Sequence, residues 1–301
     1  MISLGSRIVR LAIRALTYRI RAEHKSVSRS VKFKSGGYVP PKSVNLRAEY
    51  FNGVRTEIFT PKNAEDFAVI FFHGGGHTVG MNKMYRKAAL RYAKSCRCTV
   101  FCIDYNPDSE LRFPSLHTEC YSAYRGITEA IGMPFAVTGD SFGANLMLYS
   151  LIKSREEGGK MPQAIVCISP YADMSASGQS YKTNCRNDPI YSLPRWQSFE
   201  ENEKYIRRIS PYCEGTPLKN RYLSPVYSNL NDLSDMLIIY GSYETSASDG
   251  EMLYANALAN GVNVQLSAYE GMWHDFLYLT PFLKESRRAW KRIIEFILAH
   301  F

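Results

Sequence analysis

The residues best suited to chemistry surround Ser141, in the stretch Gly139-Asp140-Ser141-Phe142-Gly143. Residues 135–138 (FAVT) predict a buried strand directly before this stretch, and residues 144–154 (ANLMLYSLIKS) predict a helix directly after it. A tight turn between a strand and a helix presents a serine hydroxyl clear of the backbone, and flanking glycines let the chain and the helix approach closely. A Gly-x-Ser-x-Gly match alone arises by chance in about one chain of ten at this length. The strand and the helix therefore carry the interpretation of Ser141 as a nucleophile.

A histidine base and an acid that orients it must accompany such a serine, because the hydroxyl is a poor nucleophile at neutral pH. Of the six histidines, His274 lies in YEGMWHDF, in the loop after the last predicted strand. The acid is expected at the end of the strand MLIIYG, where Glu244 is the nearest carboxylate. Asp249 is the alternative, although it is predicted to start the next helix, where the helix dipole favours an acid. The predicted catalytic residues are Ser141, His274 and Glu244.

Three consecutive glycines follow the predicted strand FAVIFF, in the stretch His73-Gly74-Gly75-Gly76. Without side chains, their backbone N–H groups could stabilise the negative charge that develops on a carbonyl oxygen. The predicted donors to this oxyanion are the amides of Gly74, Gly75 and Phe142. The predicted supporting residues are His73, Gly76 and Asp140. A metal pair at His73 and His77 is disfavoured, since no carboxylate stands at a ligand-like spacing nearby.

From about residue 45 onward, short apolar runs alternate with longer helical patterns, which is typical of parallel β/α architecture. The near-continuous apolar character of the runs suits strands that are buried on both faces. Strands are predicted at residues 67–72, 98–105, 135–138, 164–169, 236–241 and 262–269. Helices are predicted at about residues 83–95, 117–131, 143–155, 249–260 and 284–300. The last of them has apolar residues at helical spacing and is expected to pack on the sheet rather than on a partner.

Residues 171–232 break this alternation, because they are polar, aromatic and punctuated by prolines, with no clear core strand. The interval is too long for a simple connection in a compact domain. We expect an excursion over one end of the sheet, with short helices of its own such as residues 199–209. The predicted organisation is a segment of basic amphipathic cap helices at 1–45, followed by a catalytic α/β domain at 46–301 that includes the cap excursion.

Composition indicates a folded protein: 301 residues with 45% hydrophobic and 13% aromatic content can bury a large core. The seven cysteines are odd in number and lie largely in apolar stretches, which indicates buried thiols in a reducing cytoplasm rather than a disulfide framework. The net charge of +9 is concentrated at the N-terminus, since residues 1–35 carry nine basic residues and one acid.

On a helical wheel the N-terminal segment is amphipathic. Its basic face holds Arg7, Arg10, Arg14 and Arg21. Its broad apolar arc holds Leu4, Ile8, Leu11, Ala15, Leu16 and Ile20, with Arg19 as the exception. Arginines interrupt every apolar run well before the roughly 20 residues of a membrane span. The favoured interpretation is a helix packed on the domain, and weak contact with a membrane surface is the alternative. Nucleic-acid binding is not expected, since no recognised motif accompanies the charge.

Over about residues 65–280 the chain resembles the α/β-hydrolases of the hormone-sensitive lipase type, which include bacterial acetyl esterases and similar lactone hydrolases. The resemblance rests on HGGG at 73–76 together with GDSFGANL at 139–146, supported by SPYAD at 169–173, SYKTNCRNDP at 180–189, and SPVYSNLNDLSDMLIIYGSYE leading to GMWHDF. The family usually has Asp as the triad acid and Ala after the nucleophile, where this chain has Glu244 and Phe142. The bulk of Phe142 bears on the size of the acyl pocket, while its backbone N–H remains available.

The resemblance implies an α/β-hydrolase fold, with a mostly parallel sheet, helices on both faces and a helical cap. It implies a serine carboxylesterase with a Ser-His-Glu triad and an HGGG oxyanion hole, acting on short-chain, acetyl-type esters or on lactones without a metal or organic cofactor. A catalytically weak ligand-binding protein on the same scaffold and a peptidase of this fold are the alternatives. We expect a small-molecule ester as partner, a cytoplasmic location, and a monomer or homodimer.

Overall fold

The computed structural model describes residues 2–17, 38–108, 110–191 and 210–301. Its centre is an eight-stranded sheet with the strand order β1-β2-β4-β3-β5-β6-β7-β8. The strands are β1 (Val44–Phe51), β2 (Val54–Pro61), β3 (Ala68–Phe72), β4 (Thr99–Ile103), β5 (Phe135–Asp140), β6 (Ala164–Ile168), β7 (Asp235–Gly241) and β8 (Val264–Tyr269). Strands β3 to β8 are parallel to one another. The six predicted strands are all present, and the mostly parallel sheet is confirmed.

The hairpin of β1 and β2 was not predicted from the sequence. The two strands pair antiparallel and are joined by Asn52 and Gly53, which have positive φ values of 47° and 84°. An Asn-Gly pair suits such a two-residue turn because both residues tolerate left-handed backbone conformations. Strand β2 then pairs antiparallel with β4 and adds the hairpin to one edge of the parallel sheet.

Eight helices lie within the described residues: α1 (Leu4–Leu16), α2 (Lys83–Cys96), α3 (Ser115–Ala130), α4 (Phe142–Glu156), α5 (Ser180–Thr183), α6 (Ala247–Ala259), α7 (Phe276–Leu279) and α8 (Lys284–Leu298). Two apolar cores form, one on each face of the sheet: α3, α4 and α6 contribute to the first, and α2 and α8 contribute to the second. Consecutive residues of β5 alternate between them, with Val137 in the first core and Ala136 in the second. Burial on both faces explains why these strands appear in the sequence as continuous apolar runs.

The two segments predicted to form a cap are only partly described. Helix α1 ends at Leu16, and residues 18–37 lie outside the described residues, as does the helix predicted at 199–209. The described parts of the excursion contain α5 and two single 3-10 turns, Pro211–Cys213 and Pro225–Tyr227. In the part of the chain that the structure describes, no helix is long and apolar enough to cross a membrane.

The C-terminal helix α8 packs on the sheet as predicted. Trp290, Ile293 and Ile297 are buried in the second core, together with residues of β6 and β7.

Candidate active site

The turn that carries Ser141 joins β5 to α4 directly, since β5 ends at Asp140 and α4 begins at Phe142. Ser141 has a φ of 51° and a ψ of −123°, a conformation that an L-residue rarely adopts. Its N–H donates to the carbonyl of Ile168 at 2.9 Å, which fixes the turn against β6. A Cβ on Gly143 would lie 2.2 Å from the carbonyl oxygen of Phe72, so only glycine lets α4 start this close to β3. The sequence therefore places the hydroxyl at the carboxyl edge of the sheet.

Three predicted residues from three different loops meet at this edge. His274 Nε2 lies 2.8 Å from Ser141 Oγ, and His274 Nδ1 lies 3.3 Å from Glu244 Oε2. With Nδ1–H donating to the carboxylate, Nε2 is left as the acceptor for the serine hydroxyl. The ring can accept the serine proton in that tautomer, which is the geometry needed for nucleophilic attack.

Glu244 is held rigidly below the imidazole and is fully buried. Its Oε1 accepts hydrogen bonds from the Ser169 hydroxyl at 2.7 Å and from the Gly241 N–H at 2.5 Å. The other oxygen, Oε2, is left to face His274. Ser169 also accepts the N–H of Asp275 at 3.1 Å, so one hydroxyl links the loop of the acid to the loop of the base.

Asp249, the alternative acid, has different partners. Its Oδ2 accepts the backbone N–H groups of Ala172 and Asp173, each at 2.9 Å, and the hydroxyl of Tyr181 at 3.2 Å. Burial raises the pKa of Asp249 well above its ordinary range. This carboxyl group therefore ties the loop after β6 to α6.

The glycine stretch after β3 runs beside the serine turn. The Gly74 N–H donates to Asp140 Oδ1 at 3.1 Å, so this predicted oxyanion donor already has an acceptor within the protein. Tyr105 donates to the carbonyls of His73 and Gly74, both at 3.0 Å, and its ring stacks on His73 with centroids 4.2 Å apart. Within the described residues, the N–H groups of Gly75 and Gly76 have no hydrogen-bond acceptor.

Phe142 occupies the first position of α4, where a backbone N–H has no acceptor inside the helix. Its side chain is fully buried among three other rings, at centroid distances of 5.6–5.7 Å: His77, His117 and Tyr212. The backbone amide of Phe142 therefore faces the serine turn, whereas its side chain packs in an aromatic cluster.

Charges around the imidazole favour its protonated form. Burial alone lowers the pKa of His274, but the carboxylates of Asp275, Glu244 and Asp188 together raise it to about 10. Asp275 Oδ2 lies 3.5 Å from His274 Nε2, on the side of the ring that faces Ser141. Burial raises the pKa of Asp275 to about 7, so this carboxyl titrates near neutral pH. Burial and the charge of Asp275 also raise the pKa of Asp140 well above its ordinary range.

A family model described as the alpha/beta hydrolase fold matches residues 69–278, which include every residue of the site. The chain belongs to the α/β-hydrolase family. This α/β-hydrolase is 29% identical over 231 residues to an acetyl-hydrolase of Streptomyces hygroscopicus, covering 76% of this chain and 74% of the relative. It is 25% identical over 257 residues to an esterase of Acinetobacter venetianus, covering 84% and 82%.

The solved structure of an esterase from the bacterial hormone-sensitive lipase family has a TM-score of 0.82 to this α/β-hydrolase at 27% identity, over 100% of this chain and 99% of that chain. Together these relatives place the protein among the serine carboxylesterases of the hormone-sensitive lipase type. The predicted family, fold class and enzyme class are confirmed.

Sequence reasoning about this α/β-hydrolase missed residues whose importance appears only in three dimensions. Ser169, Tyr105 and Asp275 touch the site, although no role was predicted for them. The available signals were that Ser169 begins the SPYAD stretch and that Asp275 directly follows the predicted base in GMWHDF. In the described part of the chain, no group of three or more His, Cys, Asp or Glu side chains could hold a metal ion.

Proposed function

We propose that the protein hydrolyses short-chain acyl esters with Ser141 as nucleophile, His274 as base and Glu244 as the acid that orients the base. The observation that carries the proposal is the continuous contact from Ser141 Oγ to His274 Nε2 at 2.8 Å and from His274 Nδ1 to Glu244 Oε2 at 3.3 Å. Asp249 is excluded from this role in the proposal because its carboxylate is engaged by the loop after β6.

In the proposed reaction, Ser141 Oγ attacks the ester carbonyl carbon while His274 Nε2 takes the hydroxyl proton. The imidazolium then gives this proton to the leaving alcohol oxygen as the C–O bond breaks, which leaves an acyl-serine. Water then attacks the acyl carbon while His274 Nε2 takes a water proton. The bond between the acyl carbon and Ser141 Oγ breaks, His274 returns the proton to Oγ, and the carboxylic acid departs. The charge of buried Glu244 stabilises the imidazolium in both halves of the reaction.

The negative oxygen of each tetrahedral intermediate needs backbone donors, and we assign this role to Gly75, Gly76 and Phe142. The amides of Gly75 and Gly76 have no acceptor among the described residues, and the Phe142 amide lies at the start of α4, where the helix dipole favours negative charge. Gly74 acts differently in this scheme, because its N–H bond to Asp140 holds the glycine stretch against the serine turn.

Short acyl chains are favoured by the aromatic cluster next to the nucleophile. Phe142 and its neighbours His77, His117 and Tyr212 are packed ring against ring, which leaves little room for a long chain on that side. The likeness to an acetyl-hydrolase of Streptomyces hygroscopicus supports a small acyl group. The proposal includes lactones as substrates, because the same attack opens a cyclic ester. The cap role of residues 1–45 and 171–232 and the cytoplasmic location stay predictions.

Hydrolysis of p-nitrophenyl esters from acetate to decanoate tests this proposal on the wild type, Ser141→Ala, Glu244→Gln and Asp249→Asn. We expect turnover of acetate and butyrate, a fall of about 10³–10⁴-fold in kcat for Ser141→Ala and Glu244→Gln, and a change of less than about tenfold for the matched control Asp249→Asn. Equal losses for both acids would reject Glu244 as the specific partner of His274.

Two other outcomes would replace the proposal. A folded wild type that binds esters tightly but turns over none would support the ligand-binding alternative. Cleavage of aminoacyl anilides without cleavage of esters would support a peptidase.

A further inference from the structure

Helix α1 has two apolar faces, and only the narrower one contacts the domain. Val9 and Ile13 pack against the second core, and Ser6 and Thr17 are buried on the same side. On the opposite side, four large apolar side chains are between 59% and 81% exposed: Leu4, Ile8, Leu11 and Leu16. The wider face of the amphipathic helix thus lies in solvent, which is the reverse of a helix whose main role is to cover a core.

Contacts at both ends and in the middle fix this orientation. At the start of α1, Glu285 of α8 accepts the Ser3 N–H at 3.1 Å and the Ser6 hydroxyl at 2.8 Å. Beyond the end of α1, the Thr17 hydroxyl donates to the carbonyl of Pro189 at 3.1 Å. Midway, the Arg10 guanidinium lies over the ring of Tyr243, 4.8 Å from its centroid. The helix therefore cannot roll its exposed face inward without losing all three contacts.

Positive charge borders the exposed apolar face. Arg7 and Arg14 follow the helical spacing of Arg10 along one flank of α1. Phe282, which is 60% exposed, adds apolar surface at the start of α1, where its neighbour Leu283 lies 3.8 Å from the Cβ position of Gly5. Fixed apolar side chains with cations beside them match a bilayer whose headgroups are anionic, since the apolar side chains enter the acyl boundary and the cations stay among the phosphates.

We propose that α1 docks the protein on the surface of an anionic lipid bilayer, with Leu4, Ile8, Leu11 and Leu16 as the inserted residues. Docking by this face also orients the enzyme. Helix α1 contacts Tyr243 and Pro189, which are the sequence neighbours of Glu244 and Asp188. The carboxyl edge of β7 therefore faces the same side of the protein as the helix. Esters dissolved in the bilayer would then reach the site from the docked side.

Co-sedimentation with vesicles tests the docking, using phosphatidylcholine alone and phosphatidylcholine mixed with phosphatidylserine or phosphatidylglycerol, whose anionic headgroups attract basic segments. The full chain is compared with Leu4→Gln/Ile8→Gln/Leu11→Gln, in which glutamine keeps the helix propensity high. The matched control is Leu258→Gln/Leu298→Gln, because those residues are also exposed but lie at the ends of α6 and α8 beside the amino end of β7. Thermal unfolding confirms that each variant is folded.

We expect the wild type and the control to bind anionic vesicles, and binding to weaken as salt is raised. The triple variant should bind at least about tenfold more weakly, and Arg7→Gln several-fold more weakly. Ser141→Ala should bind like the wild type, so a failure of the docking and a failure of the proposed esterase site are distinguishable.

Three results would overturn the docking: a wild type that stays in the supernatant with both anionic lipids, a triple variant that binds as well as the wild type, or a wild-type dimer that the triple variant converts to a monomer without any vesicle binding. The last result would assign the exposed face to a second copy of the chain.

Discussion

At the scale of single residues, the imidazole of His274 is the point where the candidate mechanism is most sensitive to its surroundings. A base must be neutral before it can take the serine proton, yet the carboxylates of Asp275, Glu244 and Asp188 raise the pKa of His274 to about 10, although burial alone would lower it. Glu244 is required to orient the ring in the proposed mechanism. Asp275 contacts the other nitrogen, at 3.5 Å, and so raises the pKa without holding the productive tautomer.

Replacing Asp275 should therefore change the pH dependence of the reaction. A raised pKa shrinks the neutral fraction of His274 at every pH below it, so we expect wild-type kcat/KM to rise with pH well beyond the ordinary histidine pKa of about 6.5. Removing the carboxylate in Asp275→Asn lowers the pKa of His274, and the rising limb should move to lower pH by about one unit or more. The measurement is kcat/KM for p-nitrophenyl acetate from pH 5 to 10.

The control for this experiment is Asp232→Asn, an exposed carboxylate in the loop before β7, which should leave the limb in place. A limb that stays at the wild-type pH in a folded Asp275→Asn enzyme would show that Asp275 does not set the proton affinity of the base.

At the scale of elements, the start of α4 must lie against the glycine stretch after β3 for the proposed oxyanion donors to converge. Gly143→Ala would put a Cβ 2.2 Å from the carbonyl oxygen of Phe72 and 2.5 Å from the carbonyl carbon of His73. Because those are backbone atoms, the helix start has to shift, and the Phe142 N–H shifts with it. We expect kcat to fall at least about tenfold and the free energy of unfolding to fall by about 1–3 kcal/mol.

Gly132→Ala is the matched control for that prediction, since a Cβ at Gly132 meets no atom within 4 Å and its φ is not positive. Ester turnover and urea unfolding of the two variants, measured side by side, decide the matter. Wild-type turnover by Gly143→Ala would mean that the contact between α4 and β3 does not position the donors.

The burial of each strand explains which elements could be predicted from the sequence. Strands β3 to β7 are buried on both faces, so each stands out as an apolar run between helical patterns. The edge strand β8 is only partly buried. The hairpin of β1 and β2 was missed because β1 is largely exposed and β2 contains a buried charge, Glu57. That carboxylate is accommodated by Arg86 of α2, which donates to both of its oxygens at 2.7 Å. A compensating contact between segments this far apart leaves no local pattern.

For the candidate site, the sequence was informative where the chain itself forces the geometry. The serine turn, the glycine stretch and the positions of His274 and Glu244 follow from strand ends, which local patterns reveal. The hydrogen bond from the Gly74 N–H to Asp140 could not be predicted from local patterns, because Asp140 reaches Gly74 only after β5 and β3 pair. Which amide faces a substrate and which is engaged by the protein is a property of the packed sheet.

At the scale of the whole molecule, the free energy of unfolding should depend on histidines that the fold keeps neutral. His117 is fully buried in the aromatic cluster, with Nδ1 2.8 Å from the Tyr212 hydroxyl and Nε2 2.8 Å from Asn145 Oδ1. The Asn145 amide donates to two backbone carbonyls, so its oxygen is left to accept from Nε2–H while Nδ1 accepts the tyrosine hydroxyl. Burial lowers the pKa of His117 to about 4.

The sign of the effect follows from the two pKa values, about 6.5 for an unfolded histidine and about 4 for the folded one. Above pH 6.5 His117 is neutral in both states and its stabilisation is complete, whereas below pH 6.5 the unfolded chain takes up a proton that the folded chain does not bind.

Between pH 7 and 4.5 the free energy of unfolding of the wild type should thus fall by about 2 kcal/mol more than that of His117→Phe, whose ring fills the cluster without titrating. The other groups titrate in both proteins and cancel from the comparison. Because Asn145 and Tyr212 lose a partner at every pH, the slope of urea-derived stability against pH is the decisive quantity. If His117→Phe declines as steeply as the wild type, the neutral buried imidazole does not set the acid stability of the fold.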